Sequence, residues 1–457
     1  MMNVICYQSD SELARLRDGW KALAGGEPFL SWEWLTSWWR HFGPAIRQGG
    51  GSLLVLAVES PGSGLVGLAP WYVANSVRGR VIRFLGSGAA CTDYLTLLAA
   101  PEHECAVLES LAAWLAAAGG STSRQPPSLR GNGMPRPPRP RKVWDLIELD
   151  GVDASDGRVA ALMGGLARRG VRVESERPAR CWRVAFPPTW EAFLAKLSKS
   201  HRKQVGRCQR RYLDTGRAVL HIARTEEELK RGLAILQELH GRRRQMLGDA
   251  GRFADACFAG FVAEASRLLL PRGQTRLCWL EIDGRLAAAE LHLAGPRTVY
   301  AYQSGVNPHL LEHEPGRIIT LATLRGALAD GFAEFDFLRG DEPYKAHWRA
   351  EPRPQVVWRA VAPRMLPQAR FAAWQAARKL RRSLKKLTEN LRSRTAVSTS
   401  QAAASELPAP SAPVSPDGPV ASDDTEALAA LSDSTAGARA DQHGHASGRA
   451  QPQEVAR

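Results

Sequence analysis

Short apolar runs broken by turn residues alternate with longer segments of helical period over the first 363 positions. A strand is expected at Asn3–Tyr7. Ser9 and Glu12 then have capping-box spacing ahead of Leu13, Leu16 and Trp20, which predicts a helix. In a second helix starting at Ser31, Leu35, Trp38, Trp39 and Phe42 fall at i, i+3, i+4 and i+7, the spacing of a core-facing stripe. These indoles are expected in core packing or at a domain interface, ahead of a substrate-stacking wall. Runs at 53–58, 65–73, 81–85 and 94–98 read as an antiparallel meander. A helix near 102–118 and a strand at 143–149 follow.

The grammar then repeats. Helices are expected near 157–169, 189–213, 225–247 and 253–269, with Thr225 and Glu228 again at capping-box spacing. Strands at 276–282, 286–294 and 298–304 are joined by Asp283-Gly284 and Gly295-Pro296, and Asp-Gly between apolar runs is a strong hairpin signal. A helix at 316–330 and strands at 334–338 and 355–361 complete the pattern. Two meander–helix–strand units predict an α/β (α+β) chain of two tandem domains with mixed central sheets, 1–150 and 151–363. The Pro/Arg-rich segment 118–142 is expected to be a disordered insertion. A basic amphipathic helix is expected at 364–394. The tail 395–457 is expected to be disordered, because it has too few large apolar groups to offset ordering entropy.

With 44% apolar and 23% charged residues the chain can bury a core, which excludes wholly disordered and fibrous proteins. The net charge of +15 is concentrated: 124–142 carries +6, 364–394 carries +9 and the tail 395–457 carries −5. The basicity therefore belongs to two attachments, and no specific nucleic-acid partner is expected. In 364–394, Ala373, Ala377, Leu380, Leu384, Leu387 and Leu391 form a narrow stripe flanked by Arg and Lys. Such a stripe fits an anionic membrane surface, packing on the body, or pairing with another chain. No apolar run approaches the roughly 20 residues of a membrane span, and the first ten residues lack a secretory pattern. The seven cysteines are scattered without a CxxC, so neither a disulfide framework nor a metal site is expected. The expected location is cytoplasmic, with peripheral attachment at the inner membrane face through 364–394. Gly62–Gly67 matches GxGxxG but precedes a strand, so a hairpin turn is expected. His309–His313 matches HxxEH but is bracketed by Pro308 and Pro315, which favours a loop over a zinc helix.

Candidate chemistry gathers in 298–345. A central strand ends at Ser304-Gly305, and Pro315-Gly316 open a helix with apolar Ile318, Ile319, Leu321, Leu324 and Leu328. The amides of Gly316, Arg317 and Ile318 are expected to point outward at the positive end of the helix dipole, where a phosphate would bind, with Arg317 adding charge. The strand at 334–338 runs directly into Arg339-Gly340-Asp341-Glu342-Pro343-Tyr344-Lys345, a loop dense in ionisable groups.

Three stretches, PFLSWEWLTSWWRHFG at 28–43, LSKSHRKQVGRCQRRYLDTG at 197–216 and YQSGVNPHLLEHEPGRIITLATLRGALADGFAEFDFLRGDEPYKAHWRAEP at 302–352, resemble the GNAT-fold acetyltransferases of the CelD type, relatives of FemAB-like double-GNAT proteins. The resemblance implies acetyl-CoA or another acyl-CoA as donor, an amine or amino-sugar acceptor, and a link to polysaccharide biosynthesis. It puts pantetheine along 299–305 and pyrophosphate at Pro315, Gly316, Arg317 and Ile318, where Glu314-Pro315-Gly316-Arg317 stands in place of the family's glycine-rich turn. In the roles it implies, Asp341 is the base with Glu290 as a second candidate, and Tyr344 protonates the thiolate. Lys345 or Arg339 holds an anion, Gln303 orients the acyl carbonyl, and Gln303 and Ser304 bind the cofactor. His292, sharing a strand face with Glu290, and Arg202, on a basic helix, meet the substrate. Glu290 and His292 can equally be hydrogen-bonded structural groups, and the basic helix a solvated face. Competing functions are FemAB-like aminoacyl transfer and a non-catalytic accessory role in a membrane polysaccharide synthase.

Overall fold

The computed structural model describes residues 2–120 and 143–404, with side chains of the final helix as far as Leu384 and at Thr388. One mixed sheet joins β1 (Asn3–Tyr7), β2 (Ser52–Ser60), β3 (Gly64–Ser76), β4 (Gly79–Phe84), β5 (Leu98–Ala99), β6 (Leu146–Asp153), β7 (Arg172–Ala185), β8 (Ala218–Ile222), β9 (Thr275–Ile282), β10 (Arg285–Ala294), β11 (Thr298–Val306), β12 (Glu334–Arg339) and β13 (Glu351–Val361). Its order is β1-β2-β3-β4-β6-β13-β7-β12-β11-β10-β9-β8, with β5 on β3. The last strand thus crosses back and lies antiparallel between β6 and β7. The long β7 pairs with β13 along most of its length and with β12 at its end, which welds two meanders into one sheet.

The first helix pair shows how sequence becomes packing. Ser9 caps Glu12 and Ser31 caps Trp34. The helix Trp32–Gln48 turns Trp34, Trp38 and Trp39 into the core, each no more than 2% exposed. Trp34 meets Phe261 of the helix Ala256–Leu269 at 4.7 Å and Tyr302 of β11 at 5.0 Å, both edge-on. The tryptophan cluster is therefore the joint between the two units, and one hydrophobic cluster runs through both, beside a separate one around Phe193, Leu280, Ile319 and Leu324 in the second unit. The GxGxxG segment forms the β2–β3 turn.

Several expectations need correction. The helix expected over 189–213 is broken into Trp190–Lys196, Lys199–Cys208 and a π-turn at Gln209–Leu213, because Leu197 is extended and Ser198 starts a new cap. The strand expected at 94–98 contracts to β5. β7 and β8 were not expected; the Arg/Glu-rich sequence of β7 lacks an apolar run because much of its length is exposed. β13 begins at Glu351 and passes through Pro352 and Pro354. The boundary expected at 150 lies inside β6, and the helix Gly157–Arg168 packs Val159, Leu162, Met163 and Leu166 into the shared core. The final helix runs over Met365–Ala404, beyond the expected end at 394 and into the segment expected to be disordered. Residues 121–142 and 405–457, which hold most of the expected disordered insertion and tail, lie outside the described residues.

Candidate active site

The site is created by two parallel strands that part company. β11 and β12 pair only at Thr298/Glu334, Val299/Phe335 and Tyr300/Asp336. Beyond that point β11 stays with β10 while β12 swings towards β7. The turning point is Leu338, a non-glycine residue at φ 57° and a costly backbone conformation. Two buried groups hold it. Asp336 Oδ1 accepts the Leu338 amide at 2.7 Å. Lys345, 1% exposed, donates to the carbonyls of Leu338, Arg339 and Gly340 at 3.0–3.2 Å and pairs with Glu342 at 2.7 Å.

The wedge holds a cavity of about 90 Å³, bordered by residues 301–306 of β11 and by Phe335, Phe337, Glu342, Tyr344 and Lys345. β10 contributes Glu290 and His292, and the helix Glu226–Met246 contributes His240, Arg243 and Arg244. The corresponding parting in the first unit, where β4 and β6 pair only at Val81/Leu146 and Ile82/Ile147, is filled. There Arg78, Arg83 and Arg359 converge on Glu148, and the Leu95 amide donates to Gly151 O at 3.0 Å. Burial raises the Glu148 pKa, but the three guanidiniums outweigh it and the net direction is down.

The structure sorts the expected site residues. Glu290, His292, Gln303, Ser304, Tyr344 and Lys345 meet in the wedge. His292 Nε2 lies 2.9 Å from Glu290 Oε2, and Thr320 and Thr323 also reach that carboxylate at 3.4 Å. With Nε2 donating to Glu290, Nδ1 of His292 is the bare nitrogen. Burial first, then Glu342 and Glu290, push the Tyr344 hydroxyl well above its ordinary pKa, so it keeps its proton. Lys345 is consumed in holding the kink. The Ser304 carbonyl accepts from His240 Nδ1 at 3.0 Å, and burial keeps that imidazole neutral.

The others lie elsewhere. Asp341 sits outside the cavity with a 59% exposed side chain, bound by Arg180 at 2.8 Å and by Trp182 Nε1 at 3.0 Å. Partial burial raises its pKa, but these donors more than offset it and the carboxylate is held below its ordinary range. Arg339 reaches across to Asp93 at 2.7 Å, and that carboxylate raises its pKa. Arg202 is exposed on the helix Lys199–Cys208.

The free-amide reading of Pro315–Ile318 also needs correction. Glu314 takes the left-handed conformation at φ 54°, and its carbonyl accepts from both Arg317 (2.9 Å) and Ile318 (3.2 Å). Pro315 and Gly316 are buried, and the Arg317 side chain pairs with the Glu314 carboxylate. A phosphate arriving there meets the chain's own carboxylate first.

His240, Arg243 and Arg244 were not foreseen. The available signal was their position: they continue the stripe of Leu229, Leu233 and Leu236 at helical spacing where further apolar residues would be expected. Cys278, Glu290 and His292 place one donor atom each within 4.8 Å and could hold a metal ion. Burial, then Glu290, raise the Cys278 pKa well above its ordinary value, so the thiol keeps its proton and instead contacts the Glu290 carbonyl at 3.6 Å.

Asp336 gives the site a pH signature. It is fully buried, which raises its pKa to about 7 against the opposing donors Tyr94 and Leu338. The unfolded carboxyl ionises near its ordinary value of about 4. Between these values the unfolded state binds fewer protons, so stability should fall as pH rises from about 4 to about 7 and then level off. Urea midpoints across that range should show the slope, and Asp336→Asn should flatten it.

Residues 199–346 match the model of the acetyltransferase (GNAT) domain family. A solved structure of FemX is similar with a TM-score of 0.51 at 11% identity, over 75% of this chain and 95% of that one. The fold is that of the GNAT acyltransferases. A tandem GNAT protein from the clavulanic acid biosynthesis pathway aligns at 15% identity and a TM-score of 0.40, over 80% of this chain and 100% of that one. No curated protein matches the chain. The GNAT match spans the whole wedge, from His240 to Lys345. No helix among the described residues is long and apolar enough to cross a membrane.

Proposed function

We propose that the protein transfers an acyl group from an acyl-CoA, acetyl-CoA being the first donor to test, to the amine of a small molecule or amino sugar. The observation that carries this reading is the open wedge between β11 and β12, whose unpaired strand edges suit an extended pantetheine arm. In the proposed reaction the acceptor nitrogen attacks the thioester carbonyl. A C–N bond forms and the C–S bond breaks. His292, oriented by Glu290, takes the proton from the amine, and Tyr344 supplies one to the leaving thiolate. Gln303 lies where it can orient the acyl carbonyl. Asp341, outside the cavity and occupied by Arg180, is left without a chemical step. In this reading, which draws on the CelD-type resemblance, the acceptor belongs to polysaccharide biosynthesis.

A second reading, aminoacyl transfer from tRNA, is favoured by one observation: Glu314 and Arg317 close the turn that would take the CoA pyrophosphate. The two readings separate in a thermal-shift titration. A ligand at 100 times its Kd stabilises a fold by about 2.7 kcal/mol. If CoA is the donor, acetyl-CoA should raise the melting temperature, Glu314→Ala should tighten its binding, and Gly316→Val should weaken it. No shift with any acyl-CoA in either the wild type or Glu314→Ala would favour the aminoacyl donor.

We also place the final helix on an anionic membrane surface. Its first turns dock on the body, where Phe371 packs with Val81, Leu146 and Val361, and Arg378 and Arg382 pair with Glu176. Leu366, Leu380 and Leu384 remain more than half exposed. A chain ending after Arg382 keeps the dock but loses much of the basic stripe. It should float less well than the full chain with phosphatidylglycerol vesicles, and equal flotation would remove the helix as an anchor.

A further inference from the structure

A second cavity, of about 600 Å³ against about 90 Å³ for the wedge, opens between the two units. That volume lies within the roughly 300–1,000 Å³ of small-molecule sites, which favour the junctions of domains. Its floor is apolar: Phe29 of the first unit packs on Tyr300 of β11 at 5.1 Å, and Tyr300 on Tyr94 at 5.8 Å. Tyr94 stands at φ 62°, a costly conformation for a tyrosine. The two cavities share one strand. Thr298 and Tyr300 border the cleft, and β11 borders the wedge from Ala301 onward. Tyr94 also donates to Asp336, whose other oxygen holds the Leu338 amide at the kink.

The walls are dense in charge, and the charges answer one another. Arg158 meets Glu104 at 2.8 Å, Arg353 pairs with Asp153, and Arg183 meets Glu334 at 3.0 Å. Asp156 caps the helix Gly157–Arg168, and Glu27 accepts from the Tyr300 hydroxyl at 2.9 Å. With Arg297 at the rim, five carboxylates face four guanidiniums and one helix N-terminus, so the cleft is close to neutral. Pairing does not exhaust these groups. A carboxylate has about four lone-pair sites and a guanidinium five donors. Neighbouring hydroxyls, each both donor and acceptor, match such paired groups. An extended peptide fits less well. The strands that reach the cleft are paired there, β11 with β12 at Thr298/Glu334 and Tyr300/Asp336 and β6 with β13 at Asp153/Gln355, so they offer it no free edge.

We propose that the cleft binds neutral sugar rings of a saccharide acceptor, leaving its amine for the wedge. The inference rests on the acyl-transfer reading for the word acceptor, but its test does not need turnover. The probes are neutral disaccharides built from glucose, galactose and N-acetylglucosamine. An anionic disaccharide of glucuronate and N-acetylglucosamine and a neutral peptide, N-acetyl-trialanine amide, serve for comparison. Binding to the full chain is followed by saturation-transfer NMR or calorimetry.

At least one neutral disaccharide should bind about ten-fold more tightly than the peptide and the anionic disaccharide, the scale of one hydrogen bond to a charged group. Glu27→Gln, which can still accept from Tyr300, and Arg297→Ala, at an exposed position, should each remove most of that preference. No neutral disaccharide binding above the two comparison probes, or a preference that survives in both folded variants, would overturn the proposal. If disaccharides bind selectively yet no acyl donor binds, the transferase reading fails while the saccharide site stands. If an acyl-CoA binds and is turned over with a small amine while no disaccharide binds, the cleft proposal fails alone.

Discussion

Lys345→Ala should lower the free energy of unfolding by roughly 3–5 kcal/mol, the cost of breaking a buried ion pair from one side. The side chain is 1% exposed and serves four acceptors at once: the carbonyls of Leu338, Arg339 and Gly340 and the carboxylate of Glu342. Its removal leaves the buried Glu342 carboxylate without its partner and three carbonyls without their donor. It also releases the Leu338 kink that parts β12 from β11. Urea unfolding should therefore show a large loss, and any ligand of the wedge should bind weakly to the protein that remains folded. Adding Glu342→Gln should recover part of the stability, because the stranded charge is gone. A loss below about 1 kcal/mol, the range of exposed pairs, would mean that the lysine does not hold the wedge.

The second large effect is chemical. Glu290→Gln and Tyr344→Phe should each reduce kcat by about 10²–10⁴-fold, the usual contribution of one positioned acid or base. Donor affinity should change little. Glutamine in place of Glu290 keeps the size but loses the carboxylate that orients the His292 ring, and allows either ring orientation. Phenylalanine keeps the edge-on contact of Tyr344 with Phe337 at 5.7 Å and deletes only the hydroxyl. Asp341→Asn is the contrast: an exposed carboxylate outside the cavity should leave kcat within about three-fold, below one positioned acid or base. Steady-state kinetics with thiol detection reads all three. An unchanged kcat in Glu290→Gln, or a collapse in Asp341→Asn, would reverse the two roles.

Much of the fold was legible because local rules agreed with the final packing. The caps at Ser9 and Thr225 start helices as their spacing predicts, a helix starts at Ser31 as expected, and Asp283-Gly284 joins β9 to β10. The tryptophan stripe announced a buried joint. What escaped was long-range. Nothing local tells β13 to return between β6 and β7, and the alternating Arg and Glu of β7 conceal a strand at the centre of the sheet.

The site was legible to the same extent. Glu290 and His292, two apart on one strand, share a face by periodicity alone, and both reach the wedge. Asp341 and Lys345 differ in fate because a kink at Leu338 turns one outward and buries the other, and φ at a leucine is not written in its neighbours. The turn at Pro315 kept its helix but not its free amides, since Glu314 in a left-handed conformation folds back on it.

The claim on which all else depends is that an acyl donor lies between β11 and β12. Hydrogen exchange read by mass spectrometry, with and without saturating acetyl-CoA, tests it most directly. Amides in peptides covering 300–306 and 335–345 should exchange more slowly when the donor is present, while those of the filled first-unit parting at 81–95 should not change. Binding with protection confined to other segments, or no protection at any acyl-CoA concentration that saturates related transferases, would contradict it.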